Sequence, residues 1–207
     1  MSDELSIDYL DDDRVLGWKD NLERIVNTLS VSHSYENGEM TKETGPGLLV
    51  VQVADDSIED YASAMNPNPF AEPEDPTYMD GNLEELFPLF KENAIEDGAT
   101  VIMGNGRVLD SNVLLEPPEE TYEKAESNPE YGAKHMWGAR ASAVSDIIYT
   151  TVLSSTNGTH TTFVDGEQRE APIRRDDLIE EINEGEAEWV IDEHLDEEEL
   201  DWLEAEN

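Results

Sequence analysis

The sequence predicts an α/β protein, a mixed and twisted β-sheet flanked by helices. Three observations carry that expectation. Gly47–Val53 and Asp146–Leu153 are short apolar-rich runs that read as buried strands. Two β-rich runs on either side of Gly104-Asn105-Gly106 read as a hairpin. Stretches with helical spacing of apolar groups lie between these strands, the order that builds a sheet with helices on it.

In chain order, residues 14–30 place Val15, Leu16, Trp18, Leu22, Ile25, Val26 and Leu29 at helical spacing, with Asp11–Asp13 available as an N-cap. The strand Gly47–Val53 follows a turn-rich segment. Residues 66–76 hold four prolines and read as a surface loop. A second amphipathic helix is expected over 82–95, capped by Asn82 and kinked or split at Pro88. Ala99–Met103 and Arg107–Leu115 form the hairpin, Pro117 and Pro118 end it, and an acidic helical segment is expected to run to about Asn128. The stretch from Gly132 then leads into Asp146–Leu153. Turns at Thr156–Thr159 and Asp165–Glu167 flank a last strand, His160–Val164. From Arg174 onward the chain alternates acids with sparse apolar groups, among them Leu178, Ile182, Trp189, Leu195 and Trp202. That pattern fits two short helices docking on the body or a loosely held acidic tail.

The chain has 207 residues, 51 acidic against 12 basic, and a net charge of −39. With 37% hydrophobic residues and clear strands, disorder does not account for this acidity. Adaptation to molar salt suits it best, because self-repulsion is screened there (the Debye length is about 3 Å at 1 M) and carboxylates hold surface water. No basic face for nucleic acid can be assembled from so few cations. No run of 18 apolar residues exists to span a membrane. The first residues are acidic and lack an apolar core, so no secretory signal is expected and a cytoplasmic location follows. Without cysteine there are no disulfides or thiolate metal sites. His33, His160 and His194 show no ligand spacing for zinc. Asn157-Gly158-Thr159 reads as a turn, and the four tryptophans as core or docking anchors.

The basic residues are unevenly placed. Lys134, His135 and Arg140 fall within Gly132–Arg140, GAKHMWGAR, just before a run of small residues. A loop entering a small-residue helix offers backbone N–H groups and a positive dipole end to an anion. The same residues equally describe a helix whose alanines pack on the sheet, with Lys134 solvated and His135 satisfied locally. A second candidate is Glu96-Asp97-Gly98-Ala99, a tight turn directly before a strand. Alone, it is an ordinary helix-to-strand connection.

Taken in order, the two motifs resemble the diadenylate cyclase family (the DisA_N or DAC domain). That family carries Asp-Gly-Ala and, further along the chain, Gly-Thr-Arg-His-Arg. The resemblance covers roughly Leu83 to Val164, and the acidity points to a haloarchaeal member. The chain is expected to divide into an N-terminal helical segment packing on the core (1–40), a cyclase-like α/β domain (41–173) and an acidic C-terminal helical segment (174–207). The implied reaction condenses two ATP into cyclic di-AMP, with each subunit of a face-to-face homodimer holding one nucleotide. Asp97 would help activate the ribose 3′-hydroxyl, Gly98 would let the backbone approach the nucleotide, and Ala99 would open the strand. Gly132, Ala133, Lys134 and His135 fall where the family grips the triphosphate. Asp97 and Glu96 are the candidate ligands for Mn²⁺ or Mg²⁺.

Four departures accompany the likeness. The family's Thr is Ala133, its first Arg is Lys134 and its second Arg is Met136, so Arg140 restores the lost charge only by reaching back. The family's Ser-Glu-Glu after the strand corresponds to Leu153–Gly158, which lacks both acids. Two other functions therefore stand beside the cyclase. One is a nucleotide-binding sensor of the same fold. The other is an acidic interaction protein working through Arg174–Asn207, with Trp189 and Trp202 as anchors.

Overall fold

A computed structural model describes residues 13–32, 35–36, 39–40, 47–54, 62–64, 77–95, 98–126, 128–129 and 131–191. Helix α1 (Asp13–Val31) comes first, followed by a two-stranded ribbon of β1 (Tyr35–Glu36) and β2 (Glu39–Met40). The main sheet takes β3 (Leu48–Val53), β4 (Ala62–Ala64), β5 (Ala99–Met103), β6 (Val108–Leu115), β7 (Ile147–Leu153), β8 (His160–Val164) and β9 (Glu167–Gln168). Helices α2 (Leu83–Ile95), α3 (Ala133–Ser142) and α4 (Arg175–Glu184) complete the fold. The seven strands lie in the order β4-β6-β5-β3-β7-β8-β9. β3 and β5 are parallel and every other pair is antiparallel, so the sheet is mixed.

The apolar runs take the central positions because both of their faces are covered. Every residue of β3 and of β7 is buried. Leu48 and Val50 point with Ile102 and Leu153 toward α1 and α2, where Trp18, Ile25, Leu29, Phe87 and Phe90 pack on them. Leu49, Val51 and Val53 point the other way, with Val101, Val152 and Phe163, toward Ala139 and Ala141 of α3. Small residues let α3 sit close. A Cβ on Gly138 would fall 2.6 Å from Val152 Cγ2, and the Gly138 carbonyl accepts the Thr150 hydroxyl at 2.9 Å.

The first helix, the strands, the hairpin and α3 lie where the residue pattern puts them. Two expectations are corrected. α2 is a single helix across Pro88, so the proline does not split it. The proline removes only the bond to the Glu84 carbonyl, which lies in the first turn among exposed residues where water replaces it. The acidic segment after Pro118 is a single 3-10 turn, Glu119–Thr121, followed by further turns, and not a helix. Tertiary bonds pull it off the helical path, since Glu126 gives its N–H to Gly166 and its carboxylate accepts the Gln168 N–H. Asn82 caps α2 as expected, accepting the Glu84 N–H at 3.1 Å.

Of the segment from Arg174, α4 docks on α1 through Leu178 against Val31, and Gly185 closes the helix in the left-handed conformation (φ 73°). Arg24 donates to the Trp189 carbonyl and Arg175 to the Ser30 carbonyl. Leu195, Trp202, the Asp11 and Asp12 cap and the proline-rich loop lie outside the described residues.

His160 gives the fold a pH dependence. Its ring is buried with Nδ1 unpartnered, and burial pushes its pKa down to about 4. The unfolded chain takes up this proton near 6.5, so the folded state loses stability as pH falls between those two values. From pH 7 to pH 4.5 the loss is about 2 to 3 kcal/mol. Urea unfolding of wild type and His160→Gln at both pH values should show a steeper acid loss in wild type by that amount. Equal losses would mean that the ring ionises freely in the fold.

Candidate active site

One end of the sheet gathers the two motifs. β3 and β5 run parallel, with Val50 beside Thr100, which brings Leu48 and Gly98 to the same edge. β7 arrives there antiparallel, with Leu153 beside Leu48. Gly98 has φ +137°, a conformation open to glycine. A Cβ at this position would lie 2.7 Å from Asn112 Cα, so the close approach seen at Gly98 is to the hairpin's second strand. A β-bulge sits there, because pairing steps from Ala99–Val113 to Val101–Asp110, and Asn112 takes φ 55° within it. The Asn112 Oδ1 atom is buried and unpartnered.

Glu96 and Asp97 fall between Ile95 and Gly98, outside the described residues. The residues on either side of them include a buried pair, Asn93 Nδ2 donating to Thr100 Oγ1. Asn93 lies in the last turn of α2 and Thr100 in β5, so these two elements are pinned together.

The N-terminus of α3 faces the same end. Gly132 is its N-cap, with no side-chain cap bond and nothing within 4 Å of a Cβ built on it. The first-turn N–H groups of Ala133, Lys134 and His135 have no partner within the helix, as at any helix start. The Lys134 ammonium donates to the Gly47 carbonyl at 2.6 Å. His135 turns inward. Its ring stacks on Tyr131 at 5.3 Å and meets the edge of Phe163, and Nε2 lies 3.3 Å from Thr161 Oγ1. Burial pushes its pKa below the usual histidine range, which favours the neutral ring. Arg140 is not brought to this edge. Its guanidinium lies over Tyr122 at 4.1 Å and Trp137 at 5.5 Å, while Met136 is exposed.

The residue that joins these pieces is one the motifs do not contain. Gly47 gives its N–H to the Ala94 carbonyl in the last turn of α2 and its carbonyl to Lys134 of α3. A Cβ on it would lie 2.9 Å from Ser155 Cβ, in the loop after β7. It therefore touches the helix that leads to Asp97, the first turn of α3 and the segment Leu153–Gly158. In the sequence it is only the first residue of a strand; the one available signal is a glycine directly ahead of an apolar run.

A helix N-terminus, a lysine and the start of β5 lie at one end of the sheet, an arrangement that suits a phosphate ester. Among the described residues no group of three or more His, Asp or Glu side chains is gathered that could hold a metal. No described helix is long and apolar enough to cross a membrane.

Comparison with known proteins gives a family and a fold. The profile of the family DAC, DisA bacterial checkpoint controller nucleotide-binding, matches residues 39–168. Among solved structures, a hypothetical membrane spanning protein from Bacillus cereus superposes with a TM-score of 0.50 at 18% identity. That match covers 72% of this chain and 61% of that one, and the likeness is one of fold. A double mutant of DacA from Staphylococcus aureus gives a TM-score of 0.45 at 20% identity, covering 81% of this chain and 93% of that one. No curated protein matches the sequence.

Proposed function

Because the chain belongs to the DAC family, the nucleotide-binding domain described for the DisA bacterial checkpoint controller, we propose that it is a diadenylate cyclase. Two ATP become cyclic di-AMP and two pyrophosphates. In each half-reaction the ribose 3′-oxygen of one ATP forms a bond to the α-phosphorus of the other. The bond to the β-phosphate bridge breaks, pyrophosphate leaves, and the hydroxyl proton passes to Asp97 or to solvent. The observation that supports this most is the meeting, on one sheet edge, of Gly98 at the start of β5 with the uncapped α3 N-terminus and Lys134.

The roles are those that the resemblance to the family implies. Asp97 acts on the 3′-hydroxyl, and Gly98 and Ala99 shape the edge on which the sugar lies. Gly132, Ala133 and the N–H groups of Lys134 and His135 receive the phosphates, with Lys134 adding a point charge. His135 acts through its backbone, since its ring is engaged with Tyr131 and Thr161. Mn²⁺ or Mg²⁺ on Asp97 and Glu96 would neutralise charge on the phosphates during transfer. Ring closure needs two such edges facing each other, hence a homodimer, and the product suits a second messenger in a halophilic cytoplasm.

One observation favours a second reading, a nucleotide-binding sensor. The charge absent at Met136 is not replaced, because Arg140 is held on two aromatic rings. The deciding experiment is mass spectrometry of ATP reactions with Mn²⁺ or Mg²⁺ in molar KCl, which screens the −39 charge. Cyclic di-AMP that disappears in Asp97→Asn, with the unfolding midpoint unchanged, supports the cyclase. ATP binding without product supports the sensor and makes Met136→Arg the change that should restore turnover.

A further inference from the structure

A cavity of about 400 Å³ lies between the first half of α1 and the face of β7 and β8 turned away from α3. None of the residues assigned above to the nucleotide lines it. Its wall holds two cations, Lys19 and Arg169, and three carboxylates, Asp20, Glu23 and Glu170. In a chain with 12 basic and 51 acidic residues, cations have abundant partners, yet these two form no ion pair with a described residue. Lys19 lies over the Tyr149 ring at 4.9 Å, and Arg169 is exposed.

Two further wall residues, Tyr149 and His160, each bury a polar atom that has no partner, the phenolic oxygen and Nδ1. Both side chains are more than nine-tenths buried. Unpaired buried polar atoms are rare in folded proteins, and both of these belong to side chains that line the cavity. Thr151 and Thr162 add hydroxyl-bearing side chains to the wall.

The charge pattern selects the class of ligand. An anion alone meets three carboxylates against two cations. A cation alone leaves Lys19 and Arg169 unanswered. We propose that this cavity is a second binding site, for a small zwitterion of the α-amino-acid class. Its ammonium pairs with carboxylates among Asp20, Glu23 and Glu170, and its carboxylate with Arg169 or Lys19. The site lies on the opposite face of the sheet from α3 and does not depend on the nucleotide assignment.

The test titrates the full chain in molar KCl with the common L-α-amino acids, one at a time, by calorimetry and thermal unfolding. Acetate and ethylammonium serve as the two half-molecules. At least one amino acid should bind and raise the unfolding midpoint, and neither half-molecule should do so. Arg169→Gln and Glu23→Gln, both at exposed positions, should each weaken that binding about tenfold or more while leaving ATP affinity unchanged. The proposal is overturned if no amino acid binds, if acetate alone binds as well, or if both variants bind as wild type does. Loss of cyclase activity in Asp97→Asn with amino-acid binding intact would separate the two sites.

Discussion

Replacing Gly98 by alanine is expected to destabilise the protein by about 3 kcal/mol or more, a fall of roughly 10 °C in unfolding midpoint for a chain of this size. Two independent effects add. The backbone there has φ +137°, which an L side chain rarely adopts. The new methyl group would also sit 2.7 Å from Asn112 Cα, 2.8 Å from its carbonyl carbon and 3.0 Å from Val113 N. All three are backbone atoms of β6, so trimming a neighbouring side chain gives no relief. Relief comes only by parting β5 from β6 at the bulge. Thermal and urea unfolding in molar KCl would measure the loss, and Asn112→Gly should change the stability of Gly98→Ala by no more than it changes that of wild type. A cost below about 1 kcal/mol would mean that the close approach is absent in solution.

What could be read from the residues, and what could not, divides along a physical line. Local patterns gave their elements. The runs in β3 and β7 are apolar because both faces are covered, and α3 is small-residued because Gly138 touches Val152. Failures came where distant groups override local preference. The acids of 119–126 have helical composition, but the Gly166 carbonyl, forty residues away in sequence, takes the N–H of Glu126 and bends the chain into turns. Pro88 is a helix breaker by its chemistry, and it is tolerated where the carbonyl that it deprives is in the first turn. The Asp-Gly-Ala and Gly-Ala-Lys-His motifs were visible as a resemblance. Their meeting at one edge depends on β3 lying between β5 and β7, which no spacing reveals. The cavity of Lys19, Tyr149, His160 and Arg169 was hidden for the same reason, since α1 meets β7 and β8 only through the fold.

Gly47 is where that hidden geometry should have its largest effect on function. Gly47→Ala is expected to lower kcat/KM for cyclic di-AMP formation roughly a hundredfold, the penalty typical of a misplacement near 1 Å. Stability should fall by only about 1 to 3 kcal/mol. The added methyl group would stand 2.9 Å from Ser155 Cβ. The strand start must then shift, carrying with it the N–H bond to Ala94 and the carbonyl that holds Lys134. The end of α2 and the first turn of α3 would shift relative to each other although neither is touched. Unlike the clash at Gly98, this one is with a side chain. Ser155→Gly removes the offending atom, so the double variant should recover most of the lost turnover. Ser155→Gly alone should change turnover little. A double-mutant cycle in kcat/KM and in unfolding free energy separates the two effects. Coupling in turnover beyond that in stability identifies Gly47 as a positioning residue. Coupling confined to stability would reduce it to a packing glycine.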